Sequence, residues 1–312
     1  MRFDPVPKRL AIRNLLVATD FSPASDAAVK YAAAWASRLG AELHVAHFIQ
    51  PAMSSEGFAQ IMEKRWQEGR AGMTAIAESP ILRGVPHVEH LEAMEVEEGL
   101  ADLVGKCSID LLVLASSGRR GLAKVVSGSI AEASLRALSC PVITLGPQAT
   151  RAAVPGPPRT ILVATDLTPA SDRALTYARA LAWEWKSGLH LLRVEPPTRH
   201  GGVVNPGVLD RVKESLMRSS VGKLAAEPPL CAMIRYGRPA EEILRSAHEV
   251  GADLIVLGAH AAPGFSLYTG RRTVYRVICD ARCPVLTTRN AAVPWNPQLG
   301  LDVYGERSMK SA

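Results

Sequence analysis

Residues 110–132, DLLVLASSGRRGLAKVVSGSIAE, hold the chain's most suggestive spacing of side chains that could do chemistry. Gly118, Gly121 and Gly128 frame a loop that carries Arg119, Arg120 and Lys124, and Ser129 is followed three residues later by Glu132. Serine and glutamate at that distance predict an N-cap and a capping box, so a helix is expected to start near Gly128. Unpaired N–H groups at a helix start and the helix macrodipole favour negative charge, and glycines let the backbone come close to a phosphate. The chemistry this predicts is anion binding. A plainer reading stays open beside it, in which the glycines serve turns, Ser129 only caps its helix and the basic residues form a solvated loop.

The elements that must position this loop can be read outward from it. Residues 111–114 are an apolar run without polar interruption, which suits a strand covered on both faces of a parallel sheet. The chain also repeats itself: residues 13–34, RNLLVATDFSPASDAAVKYAAA, match residues 159–180, RTILVATDLTPASDRALTYARA, at 14 of 22 positions with an offset of 146. Each copy opens with an apolar strand ending in Thr-Asp, a capped Ser/Thr-Pro-Ala-Ser-Asp turn and an Ala-rich helix through Leu39 or Trp185, and then a second strand. A less matched helical stretch follows, 58–78 in one copy and 208–224 in the other, with short strands at 87–93 and 230–236. The copies realign at an offset of 143, where helices at 98–106 and 241–249 lead to Asp-Leu-Leu-Val-Leu and Asp-Leu-Ile-Val-Leu, and each closes on Cys-Pro-Val. Proline at the first residue of a strand is where a sheet tolerates it.

Strands alternating with helices predict two tandem α/β domains, Rossmann-like and doubly wound, each with a five-stranded parallel sheet. The expected boundaries are 1–147 for the first domain, 148–158 for a Pro/Gly-rich linker, 159–290 for the second domain and 291–312 for a C-terminal tail with Trp295 as an anchor. Ligands of such folds bind at the carboxyl ends of strands where the strand order reverses. That puts the crevice of copy one between the strand ending at Asp20 and the one ending at Ala115.

Composition sets limits on function. At 312 residues, 47% hydrophobic and 21% charged, the chain suits about two globular domains. Five scattered cysteines without a Cys-x-x-Cys pair argue against a disulfide framework or a zinc ribbon and suit a reducing compartment. No stretch approaches the ~18 apolar residues of a membrane span and the N-terminus lacks a signal-peptide core, so a cytoplasmic location without membrane association is expected. The net charge of +6 is dispersed and aromatics make up 5%, which weighs against nucleic acid as partner. His44, His47, His87, His90 and His190 fall on expected strands without cysteine or carboxylate at ligand spacing, so no metal ligands are assigned. Cys279 and Cys283 read as small hydrophobes rather than a redox pair. No nucleophile with an adjacent base, Gly-x-Ser-x-Gly or Walker sequence is present, so no catalytic residues are assigned.

The opening Leu-Val-Ala-Thr-Asp-Phe-Ser, the Asp-Leu-Leu-Val-Leu strand, the Gly-Ser-x-Ala-Glu helix start and the Cys-Pro-Val strand together resemble the universal stress protein family in a tandem two-domain form, over residues 14–289. The resemblance implies a Rossmann-like fold, dimers built through the last strand and, in one subset, ATP bound by a Gly-x-x-Gly-x9-Gly-Ser/Thr signature. Copy one matches that signature as Ala115, Gly118, Gly128 and Ser129, followed by Ile130, with alanine in place of the first glycine. A methyl there would crowd the ligand if φ is positive or the phosphate lies against the Cα. The family's ribose and base contacts map onto Asp20 and Phe48. Asp20 has two open readings: acceptor for sugar hydroxyls, or acceptor for the backbone of the Ser22-Pro23 turn.

Copy two departs further, with Gly258, Ala261, Arg271 and Arg272 at the aligned positions, so its site is expected to be degenerate and without nucleotide. The guanidinium groups there suit holding a phosphate, pairing with acidic residues or filling the site. The expected ligand is thus ATP or a related adenine nucleotide, with Mg as its companion ion, in the first domain only. A protein partner and a homodimer beyond the intramolecular pair of domains are further expectations. The alternative is a nucleotide-free interaction module, and a weaker one is a slow ATPase.

Overall fold

The computed structural model describes residues 12–51, 57–116, 138, 140–195, 206–218, 230–259 and 267–289. The first half contains β1 (Asn14–Ala18), α1 (Pro23–Leu39), β2 (Glu42–Phe48), α2 (Phe58–Ala77), a 3₁₀ turn (Pro80–Leu82), β3 (His87–Glu92), α3 (Val96–Lys106), β4 (Leu111–Ala115) and β5 (Val142–Leu145). A one-turn helix, α4 (Ala149–Ala152), starts the connection to the second half. There follow β6 (Thr160–Thr165), α5 (Pro169–Trp185), β7 (Gly188–Glu195), α6 (Pro206–Arg218), β8 (Leu230–Tyr236), α7 (Pro239–Glu249), β9 (Leu254–Ala259), α8 (Leu267–Asp280) and β10 (Val285–Arg289). The expected strands fall within a few residues of these bounds; the helix expected over 208–224 is described only to Arg218, the one expected near Gly128 lies outside the described residues, and the linker expected over 148–158 contains α4.

The strands form a single ten-stranded sheet in the order β3-β2-β1-β4-β5-β10-β9-β6-β7-β8. Within each half the pairings are parallel, as expected for βαβ units. The halves meet antiparallel, with Val285 opposite Thr144, Leu286 opposite Ile143 and Thr287 opposite Val142. Each five-stranded unit therefore hides its last strand against the other, and neither leaves that edge unpaired. The free edges are β3 and β8.

Local chemistry explains where helices begin and end. Ser22 accepts from the Ser25 N–H at the start of α1 and Thr168 from the Ser171 N–H at the start of α5, with proline inside each first turn. Gly40 takes a left-handed conformation (φ 66°) to end α1, and Lys186 (φ 56°) does so for α5. Asp110 and Asp253 serve matching purposes. Asp110 Oδ2 accepts from the N–H groups of Arg13 and Asn14 at 2.7 and 3.0 Å, and Asp253 Oδ2 from those of Arg159 and Thr160 at 2.9 and 3.1 Å. Each carboxylate thereby ties the start of a central strand to the start of its neighbour.

One apolar core runs through both halves on the α1 and α5 side of the sheet, and smaller cores lie under α3 and α7. At the junction Trp35 is wholly buried and meets Trp185 edge-on, centroids 4.3 Å apart at 80°. Its indole N–H donates to the Gly156 carbonyl at 3.1 Å, holding the connecting segment against the core. Gly146, which follows β5, lies so close to the Ile278 carbonyl of α8 that no β-carbon fits between them. Among the described residues no helix is long and apolar enough to cross a membrane.

Candidate functional site

β1 and β4 are neighbours in register, Leu15 beside Leu111 and Val17 beside Val113, and the chain leaves β1 for β2 on one side and returns to β4 on the other. Their carboxyl ends, Thr19-Asp20 and Ala115-Ser116, therefore border the switch point where an α/β sheet opens a crevice. The turn after β1 is built from short polar side chains. Thr19 Oγ1 accepts from the Phe21 N–H at 3.0 Å and donates to Ser25 Oγ at 3.1 Å, and Asp20 Oδ1 accepts from the Ser22 N–H at 3.1 Å. Phe21 sits at φ 59°, an uncommon conformation for an aromatic residue, held by these bonds and by the packing of its ring on Gly72. Its ring also stacks on His47, centroids 4.3 Å apart. His47 Nδ1 lies 2.8 Å from the Thr19 carbonyl, which only accepts, so that nitrogen carries the ring proton.

One carboxylate oxygen of Asp20 bonds the turn, and among the described residues the other has no partner. The second half repeats the turn: Leu167 is at φ 65°, Leu167 N–H donates to Thr165 Oγ1 at 3.0 Å, and Thr168 N–H to Asp166 Oδ1 at 3.1 Å. The turn bond is therefore part of the fold in both halves. At the position of His47 the second half has Arg193, whose guanidinium bonds the Thr165 carbonyl at 3.3 Å and Glu195 at 2.7 Å. This largely buried ion pair lies at the carboxyl ends of β6 and β7.

Ala115 is 3% exposed and belongs, with Leu111 and Val113, to the core on the α1 side, so its methyl points toward α1. Its φ is not positive. Of the two ways a methyl could harm binding, conformational strain is thus removed. In the second half Gly258 shows the same geometry from the other side: a β-carbon there would lie 2.6–2.7 Å from the backbone of Ala170 and Ser171 at the start of α5. Phe48 is 7% exposed and its ring packs on Gly99 of α3, so at this position the backbone and not the ring faces the strand end. Gly118, Gly128, Ser129 and Ile130, with Arg119, Arg120 and Lys124, lie outside the described residues. Arg271 and Arg272 fall within α8, more than one turn after its start at Leu267, so the aligned position in the second half is not a helix N-terminus.

Comparison with known proteins decides the family. The model of the universal stress protein family matches twice, over residues 11–145 and 158–289. The chain belongs to the universal stress protein family. It is a tandem universal stress protein, with two copies of the domain in one chain. Among curated relatives, a universal stress protein of Mycobacterium tuberculosis is 27% identical over 192 residues, 58% of this chain and 62% of that relative. The chain thus matches somewhat less than two thirds of that relative's length. A universal stress protein of Thermus aquaticus is 33% identical over 138 residues, 42% of this chain and 98% of the relative. Among solved structures, a universal stress protein from Archaeoglobus fulgidus superposes with a TM-score of 0.64 at 19% identity, covering 89% of this chain and 97% of that one. That likeness concerns the fold.

Several residues that shape this universal stress protein's crevice were not assigned to it by sequence reasoning: Thr19, Phe21, Ser25 and His47, the last weighed only as a metal ligand. A signal existed for two of them, since threonine and serine six residues apart recur as Thr19/Ser25 and Thr165/Ser171. Their hydroxyls meet at 3.1 and 3.0 Å.

Proposed function

We propose that this tandem universal stress protein binds ATP, or a related adenine nucleotide, in its first domain and acts as a cytoplasmic stress-response regulator. The observation that carries the reading is the switch point itself, where among the described residues Asp20 keeps one carboxylate oxygen unpartnered beside the strand that runs into the Gly118–Gly128–Ser129 signature. In this reading Asp20 accepts from the ribose hydroxyls, and the backbone at Phe48 borders the base. The amides of the segment from Gly118 to Ile130 hold the phosphates, with Mg neutralising part of their charge. The methyl of Ala115 is directed into the core and leaves the crevice passable. The second domain carries no nucleotide, because Arg193 and Glu195 occupy the strand end and Arg271 and Arg272 replace the glycine and serine of the signature. Occupancy biases the signature loop toward a conformation that a protein partner reads. Because the last strands are already paired within the chain, any homodimer uses another surface.

Calorimetric titration of the nucleotide-stripped protein with ATP and magnesium tests this, run beside Gly128→Arg, which imitates the second domain. One saturable site, lost in the variant, is expected. If folded wild-type protein binds no adenine nucleotide, the reading fails and an interaction module without nucleotide takes its place. Magnesium-dependent phosphate release that Gly128→Arg abolishes would show that hydrolysis accompanies binding.

A further inference from the structure

At the opposite end of the first domain's sheet, three metal-ligating side chains from different elements converge. His44 lies near the start of β2, His90 on the edge strand β3, and Cys107 caps the C-terminus of α3. Register sets the pair up: Ala46 is opposite His90, so His44 is its diagonal neighbour on the same face. His44 Nδ1 and His90 Nε2 are 2.9 Å apart, with the rings nearly parallel at 19°. One ring nitrogen of each histidine and the Cys107 sulfur all lie within 4.8 Å of one another. The end of α3 is held over them by Asn14, whose side-chain amide donates to the Cys107 carbonyl at 3.1 Å.

A second observation points to a ligand. His44 is only 6% exposed, and among the described residues its Nε2 is buried without a hydrogen-bond partner. An orphaned ring nitrogen in the interior is costly unless something occupies it. The Glu42 carboxylate lies 3.5 Å from that nitrogen on a half-exposed side chain. We propose that His44, His90 and Cys107 form a binding site for a thiophilic divalent transition metal, zinc in the first place, distinct from the nucleotide crevice.

The donor set selects the metal class. Two imidazoles and a thiolate favour zinc and its neighbours over magnesium or calcium, which require oxygen ligands. Tetrahedral zinc with bonds of about 2.0–2.3 Å holds its ligand atoms roughly 3.3–3.8 Å apart, so atoms already within 4.8 Å of one another need only a small rearrangement on binding. Cys107 is half-buried at a helix end and supplies that movement. Burial pushes both imidazoles below their usual range, which keeps them neutral with a lone pair for the metal. Burial and the Glu92 charge raise the Cys107 thiol, so the metal must displace its proton, and one proton is released per ion bound. Proton positions on the histidines rearrange between ring nitrogens without net change. The second domain has His190, Met233 and Val250 at the matching positions, which cannot form the same set. The site is therefore a property of the first half alone, on β3, a free edge of the sheet.

The test uses the full chain, stripped with chelator and titrated with cobalt and then zinc. Expected are one equivalent bound, visible absorption typical of tetrahedral cobalt and a near-ultraviolet thiolate-to-cobalt charge-transfer band, all displaced by zinc. Cys107→Ser should abolish the charge-transfer band, and His90→Gln should weaken zinc binding at least tenfold in competition with a chromophoric chelator. Circular dichroism checks that each variant is folded. Zinc should raise the melting temperature of wild type and leave Cys107→Ser unmoved. Absence of the charge-transfer band in folded wild type, or a band that survives Cys107→Ser, overturns the proposal.

Discussion

Trp35 joins the two halves, and its replacement gives the strongest test of how they depend on one another. The indole is wholly buried, lies edge-on to Trp185 and donates to the Gly156 carbonyl. Truncating a buried tryptophan to alanine costs about 3–5 kcal/mol in a core that cannot collapse. The lost indole hydrogen bond accounts for about 1 kcal/mol of stability and the aromatic contact for about 0.5–1.5 kcal/mol. Trp35→Ala should therefore cost about 4–5 kcal/mol, and Trp35→Phe, which keeps a ring but loses the N–H donor, about 1–2 kcal/mol. Against a total stability of roughly 5–15 kcal/mol, the alanine variant stands near the limit of folding. Urea unfolding followed by far-ultraviolet circular dichroism measures both, and a double-mutant cycle with Trp185→Ala should return a coupling of about 1 kcal/mol. Because the core on this side runs through both halves, the whole transition should shift together. A loss under about 1 kcal/mol for Trp35→Ala, or a shift confined to one of two separate transitions, would refute the view that the halves share one core.

Four further outcomes follow from local geometry and burial. Gly258→Ala should destabilise by about 1–3 kcal/mol, because the new methyl meets backbone at the start of α5 rather than a side chain that can turn away. The reverse exchange, Ala115→Gly, should cost about 1–2 kcal/mol while leaving nucleotide titration unchanged; a lower melting temperature in both and equal affinity in the second is the expected pattern, and tighter binding by Ala115→Gly contradicts the direction assigned to its methyl. Thiol labelling of the native protein should begin at exposed Cys231 and spare buried Cys140 and Cys283 until unfolding. Burial pushes the Cys283 thiol from about 9 up to about 12, so above pH 9 the unfolded chain loses a proton that the native state keeps. Stability from this group is complete below that pH and declines as pH rises toward 12, with buried Tyr31 and Tyr177 acting in the same sense; a flat stability profile to pH 11 contradicts this.

Much of the fold was legible because its determinants are local or repeated. Periodicity alone separates β4 from α3, capping residues mark the starts of α1 and α5, and the offset copies show that one unit occurs twice. The crevice was legible for the same reason, since a doubly wound sheet puts its switch point at the ends of β1 and β4 whatever side chains follow. Less legible was what each residue does there. Asp20 left two readings open, and only the turn geometry showed one oxygen engaged and the other without a partner among the described residues. Phe48 looked like a base contact, and packing turned its ring onto Gly99.

The sequence by itself determined the repeat, the α/β class, the family resemblance and the position of the phosphate-type signature, because each is written in spacing along the chain. Tertiary structure alone decided three matters. It paired β5 with β10, where the equivalent last strands of the two copies meet antiparallel with no turn between them to announce it. It directed the methyl of Ala115 into the core, a choice made by strand register against α1. It also brought His44, His90 and Cys107 together, the two histidines from 46 residues apart. Spacing encodes which face a residue occupies, but not which distant residue shares it; that follows only when strands take their register and a helix is laid across them.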